Sequence, residues 1–218
     1  MCNAAGILSL KALFDAAEQE ERKPVISMGG IRRMGHTLVA TFDPRFNEFL
    51  HGTLDPAGAN KVPYGRQCDR AAANRTLDYH MTLVHWAKQD DALYLPKITG
   101  ILFPQFTMTV TESTVSEAQE NSWILYFPLK PGERYDEALN SIRSAMQTSR
   151  RPFPHMTLAI SKDLEQIKQI KRLVDSRCRY PFTIHADALD LYHIWQPVRK
   201  VCRIYGINGC DCPSDGQT

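Results

Sequence analysis

His80-Met81-Thr82-Leu83 returns letter for letter as His155-Met156-Thr157-Leu158, 155 − 80 = 75 residues further along the chain. On an extended chain successive side chains point to opposite faces, so in each copy the histidine shares a face with the threonine and the methionine with the leucine. The apolar pair anchors a strand in a core, and the imidazole and hydroxyl stand together on the other side. Two such strands lying side by side would line one cleft with two histidines and two threonines.

The flanking sequence supports strands at both copies. Tyr79 to Trp86 and His155 to Ile160 are β-prone runs, and Thr37 to Phe42, ending at the turn signal Asp43-Pro44, is another. Gln105 to Thr111 and Trp123 to Leu129 read as strands joined by a hairpin-style loop over Glu112 to Ser122. Phe182 to His193 and Val198 to Ile207 form a last pair around a turn at Gln196-Pro197. Helical spacing of apolar residues marks Asp136 to Met146, with Ala138, Leu139, Ile142, Ala145 and Met146 on one face, and a segment capped by Ser161 with Leu164, Ile167, Ile170, Leu173 and Val174 inward. Arg45 to Leu50 reads as a short helix, Ile7 to Glu21 as an amphipathic one stopped by Pro24, and Ala87 to Pro96 as no more than one or two turns. About seven strands joined mostly by turns, with three or four helices, give an α+β class with antiparallel sheets. The expected organisation is an N-terminal helical extension over 1–35, one domain over 36–208 and a disordered tail over 209–218.

Composition bounds the function. The chain has 218 residues with a net charge of +2 and 43% hydrophobic residues. It contains no apolar run of the ~18 residues that a membrane helix needs, so no membrane association is expected. Near-neutral charge gives no whole-molecule attraction to nucleic acid, which excludes long duplex DNA as a partner and leaves any anion to a local basic patch. Met1 to Phe14 lacks a basic start followed by an apolar core, so the expectation is a cytoplasmic protein, and a monomer. The six cysteines, Cys2, Cys68, Cys178, Cys202, Cys210 and Cys212, have no disulfide-framework spacing. Cys210-Asp211-Cys212 lacks a second ligand pair, so neither a structural metal nor a cofactor is expected.

Two imidazoles facing one ligand suit phosphodiester cleavage. A neutral one takes a proton from water while a protonated one gives a proton to the leaving oxygen. Threonine hydroxyls beside them donate to the non-bridging oxygens, whose charge grows in the transition state. Proton transfer of this kind demands no metal.

The paired motif, the second copy standing as Phe153-Pro154-His155-Met156-Thr157-Leu158, resembles the 2H phosphoesterase superfamily, which includes 2′-5′ RNA ligase-like proteins and cyclic phosphodiesterases. The resemblance covers Thr37 to Ile207. It implies a bilobal fold of two antiparallel sheets around a central cleft, with His80, Thr82, His155 and Thr157 as the catalytic set. It also implies action without a metal on a 2′,3′-cyclic phosphate or a 2′-5′ or 3′-5′ linkage in RNA or a short oligonucleotide. A sizeable helix usually follows the first motif in that family, and here Ala87 to Pro96 is short.

Alternatives from other classes share the same residues: a non-catalytic module that holds RNA ends or a nucleotide, and a hydrolase of a cyclic oligonucleotide messenger. For substrate contact, Tyr79, Phe153, Tyr192 and Trp195 are candidates for stacking a base, although strand aromatics are more often core. Arg75, before the first motif, and Arg151, before the second, are candidates for holding phosphate, although exposed arginines are more often simply solvated. His85 stands at odd spacing from His80 and is expected on the opposite face. His36, His51, His185 and His193 have no comparable pairing and are assigned no role.

Overall fold

The computed structural model describes residues 35–55, 78–87, 96–99, 101, 103–118, 121–149, 151–194 and 199–205. In chain order the elements are β1 (Gly35–Phe42), α1 (Pro44–Leu54), β2 (His80–Ala87), β3 (Phe106–Val110), β4 (Thr114–Ala118), β5 (Ser122–Pro131), α2 (Tyr135–Ala145), β6 (His155–Ser161), α3 (Leu164–Arg177), β7 (Phe182–Ile194) and β8 (Arg199–Tyr205). One helical turn lies at 96–99. The expected N-terminal helix, the basic stretch from 56 to 74, the turn at Gln196-Pro197 and the tail over 209–218 lie outside the described residues.

Every strand pairing is antiparallel, which is the α+β class read from the sequence. One half of the sheet is built from β8, β7, β1 and β2, and the other from β6, β5, β3 and β4. Two seams join them: β3 pairs with both β5 and β7, and β2 meets β6 at the single pair Met81↔Met156. Hydrogen bonding is thus continuous from one half to the other, and the two tetrads sit at one of the seams.

A common core explains why these segments form these elements. β3 alternates, burying Phe106, Met108 and Val110, whereas β5 buries Ile124 to Phe127 in succession because both of its faces are covered. Leu125 and Phe127 join the main core, and Ile124 and Tyr126 join a small cluster with Ala118 and Ile160. The helices bury their apolar stripes against that core: Ala138, Leu139 and Ile142 from α2, and Ile167, Ile170 and Val174 from α3. Gly132, leading into α2, turns so close to β3 that a Cβ there would stand 2.3 Å from Thr107 Oγ1, so no other residue fits.

Three local readings change. The loop expected over Glu112 to Ser122 contains β4, whose mostly polar, half-exposed to exposed residues Thr114 to Glu117 disguised an edge strand. The cap of α3 is Asp163, whose carboxylate accepts from Glu165 N (2.9 Å) and Gln166 N (3.2 Å). Ser161 instead accepts from Asp163 N and donates to Gln166 Oε1, one step behind the cap. Finally, α1 runs on to Leu54, because Leu50 and Leu54 are both fully buried.

Candidate active site

The pair Met81↔Met156 aligns the two tetrads. In antiparallel register, one residue outward in each direction sets His80 across from Thr157 and Thr82 across from His155, with all four side chains on one face. Each histidine thus faces the other copy's threonine. The two histidines form the diagonal of the square, a relationship whose usual spacing is about 7–8 Å, which leaves room for one phosphate group between the rings. All four residues are half-buried, while Met81, Leu83, Met156 and Leu158 are at most 3% exposed on the other side.

The repeat extends to a backbone irregularity. In β2, Leu38 pairs with Val84 and Val39 with Thr82, so Leu83 is the extra residue of a bulge. In β6, Leu125 pairs with Ala159 and Tyr126 with Thr157, so Leu158 is the extra one. The last letter of each tetrad is a bulged leucine, and each strand re-aims immediately after its threonine. The bulge also reverses the face of the residues after it. Because Thr37 is the partner of His85 as Thr41 is of His80, His85 shares the face of His80, correcting the reading from odd spacing. Its Nδ1 lies 2.8 Å from Thr37 Oγ1.

The imidazoles of the two tetrads are held alike. His80 Nδ1 lies 2.9 Å from the Asp78 carbonyl and His155 Nδ1 lies 2.9 Å from the Phe153 carbonyl, two residues upstream in each case. A carbonyl only accepts, so each Nδ1 carries the proton and donates, and each Nε2 is left as the ring's acceptor atom. Burial lowers the pKa of His80; the bond to the Asp78 carbonyl opposes this, the like charge of His155 adds to it, and the Asp78 and Asp190 carboxylates oppose it. Burial also lowers His155, against its bond to the Phe153 carbonyl. Both rings therefore favour the neutral form, and a bound phosphate anion would return a proton to one of them.

Aromatic rings flank each imidazole. Tyr192 meets His80 edge-on at 5.1 Å, and Tyr126 meets His155 edge-on at 5.9 Å. Phe153 stacks on His155 at 5.7 Å and is 38% exposed, so its outer surface faces solvent beside the quartet. Behind His80, its strand partner Thr41 donates to the fully buried Asp190 carboxylate at 3.2 Å.

The remaining sequence candidates are distributed unevenly. Tyr79 points away from His80 into the core, against His51 at 4.9 Å, which removes it as a stacking residue. Tyr192 is only 2% exposed, so it braces His80 and presents no free ring face to a base. Arg151 is exposed and pairs with Asp136 in the first turn of α2. Arg75 and Trp195 lie outside the described residues. Sequence reading missed Thr41, Tyr126 and Asp190. Asp190 left a signal, a carboxylate among apolar neighbours in Ala188-Leu189-Asp190-Leu191, whereas nothing marked Tyr126 beyond its being aromatic.

No family model matches the chain, and no curated protein matches it in sequence. Among solved structures it is similar to E. coli LigT complexed with 3′-AMP, at 17% identity over 73% of this chain and 87% of that one, with a TM-score of 0.44. It is similar to Kluyveromyces marxianus Usb1 at 12% identity over 78% of this chain and 98% of that one, with a TM-score of 0.42. TT0787 of Thermus thermophilus aligns at 12% identity over 81% of this chain and 99% of that one, with a TM-score of 0.48. At these scores the roles of residues rest on this chain's own geometry.

Proposed function

We propose that the protein is a 2H-type phosphoesterase that hydrolyses a 2′,3′-cyclic phosphate, or a 2′-5′ or 3′-5′ linkage in RNA or a short oligonucleotide, without a metal ion. The observation that carries this reading is the matched pair of Nδ1 hydrogen bonds, which leaves two Nε2 atoms available across one face. One neutral Nε2 takes a proton from the attacking water, and the other imidazole, protonated while the phosphate anion is bound, returns a proton to the leaving oxygen. Each transfer contributes about 10²–10⁴-fold. Thr82 and Thr157 donate to the non-bridging oxygens, bonds that strengthen as charge develops on them. Phe153 offers its exposed ring to a base next to the phosphate.

The test is turnover over a panel of nucleoside 2′,3′-cyclic phosphates, 2′-5′ and 3′-5′ dinucleotides and cyclic oligonucleotides, with binding followed alongside and with EDTA present or absent. Hydrolysis of at least one member, unchanged by EDTA, is expected. Binding with no turnover would instead identify a nucleotide-holding module.

A further inference from the structure

The two histidines have identical backbone anchors and different neighbours. The β5 partner of His155 is Pro128, whose side chain has no polar group, while the β1 partner of His80 is Thr41, whose hydroxyl donates to Asp190 Oδ2 at 3.2 Å. β1 pairs with β7 so that Thr41, Val39 and Thr37 stand opposite Ala188, Asp190 and Tyr192. That register puts Asp190 on the same face as His80, two strands away, with Thr41 and Val39 between. Asp190 is fully buried, so its charge is poorly screened and acts over that distance more strongly than it would in water. Among the described residues, the titratable and charged groups around His80 are Asp190 and Tyr192 from β7, His155 from β6, Asp78 from the chain entering β2, and His85 on β2 itself; β1 presents Thr37 and Thr41, and on the far edge of β7 the register of β8 sets Arg203 opposite Asp190.

We propose that Asp190 is a positioning residue that, held by Thr41, stabilises the imidazolium formed when His80 takes a proton, which makes His80 the general base and His155 the general acid. This rests on the phosphodiesterase reading above. His80 is the more enclosed of the two rings, which keeps it neutral before reaction, as a base must be. The positive charge it gains appears on the same face as a fixed buried carboxylate two strands away, which needs no reorganisation to meet it. His155 stands at the more open end of the square, where a phosphate anion is its natural counter-charge.

The experiment is Asp190→Asn, which removes the charge and keeps an oxygen for Thr41, followed by NMR titration of both imidazoles and by pH–rate profiles. Loss of the carboxylate lowers the His80 midpoint and leaves His155 in place. The acid limb of the kcat profile, set by the base, then moves to lower pH, kcat falls about tenfold, within the ~10²–10⁴ that a positioned base supplies, and KM holds. An unmoved His80 midpoint, a shift of the alkaline limb instead, or a raised KM at constant kcat would each overturn the proposal. Should Asp190→Asn fail to fold by circular dichroism, Thr41→Val carries the test. It keeps the carboxylate and removes the bond that holds it, so the His80 midpoint is expected to move downward, by less than in Asp190→Asn; no movement, or an upward one, would overturn the coupling. Absence of any turnover in the parent protein would sink the phosphodiesterase reading and the base role together, whereas an unmoved midpoint in an active enzyme sinks this proposal alone.

Discussion

Met81 and Met156 face each other across one antiparallel bridge, and that single pair aligns the two His-Met-Thr-Leu tetrads. Both are at most 1% exposed, so the pairing is locked by the core beneath it and not by the polar groups above. A slip of one residue in either strand would turn a histidine and a threonine into the core and two apolar side chains out, at a cost no local rearrangement offsets.

The threonines follow from that square. If the two hydroxyls donate to the phosphate as proposed, Thr82→Ala and Thr157→Ala should each lower kcat by about 10²-fold with a smaller effect on KM. Steady-state kinetics on any hydrolysed member of the panel checks this. A change confined to KM would mean that the hydroxyls hold the ground state only.

Phe153 is the exposed ring next to His155. Phe153→Ala should raise KM for nucleotide substrates by roughly tenfold, in keeping with base stacking of about 1–3 kcal/mol, and should change KM little for a phosphodiester without a base. Equal losses on both kinds of substrate would assign the ring to bracing His155 alone.

Stability should depend on the same histidines. Both have pKa values lowered in the folded protein from the ordinary 6.5. The unfolded chain therefore binds more protons than the native one below that value, and stability rises with pH through the window. It is fully present above about 6.5 and is lost as pH falls toward the depressed native values. Urea melts across that range should show the loss, and His80→Ala should flatten the slope.

A separate cluster carries structure without chemistry. Asp175 of α3 accepts from Ser113 (2.6 Å) and Tyr180 (2.9 Å) and pairs with Lys171, which ties the helix to the approach to β4. These donors, with Lys171, hold its carboxyl below the usual range against the opposing effect of burial. Asp175→Ala leaves Ser113, 2% exposed, without that acceptor, and should cost about 1–3 kcal/mol in thermal or urea melts while leaving kcat unchanged.

Much of this was legible in the chain. Strict alternation in His-Met-Thr-Leu separated the polar quartet from its anchors, and apolar stripes at helical spacing located α2 and α3. Two things were hidden for physical reasons. A bulge is a tertiary choice of pairing, so nothing local to Leu83 announces that His85 changes face. Strand adjacency is likewise unwritten, which is why Asp190, 110 residues from His80, enters its surroundings only once β1 lies between β2 and β7. β4 escaped because an edge strand with mostly polar, half-exposed residues lacks the alternation that marks a buried one.

The most direct measurement is the hydrolysis rate of nucleoside 2′,3′-cyclic phosphate and 2′-5′ dinucleotide by His80→Ala and His155→Ala, each against the parent protein and each verified as folded. If the two imidazoles work as one acid–base pair, either substitution alone abolishes turnover, and the parent shows a bell-shaped pH–rate profile that the addition of EDTA does not alter. Retention of the parent's rate in either variant would contradict a two-histidine site.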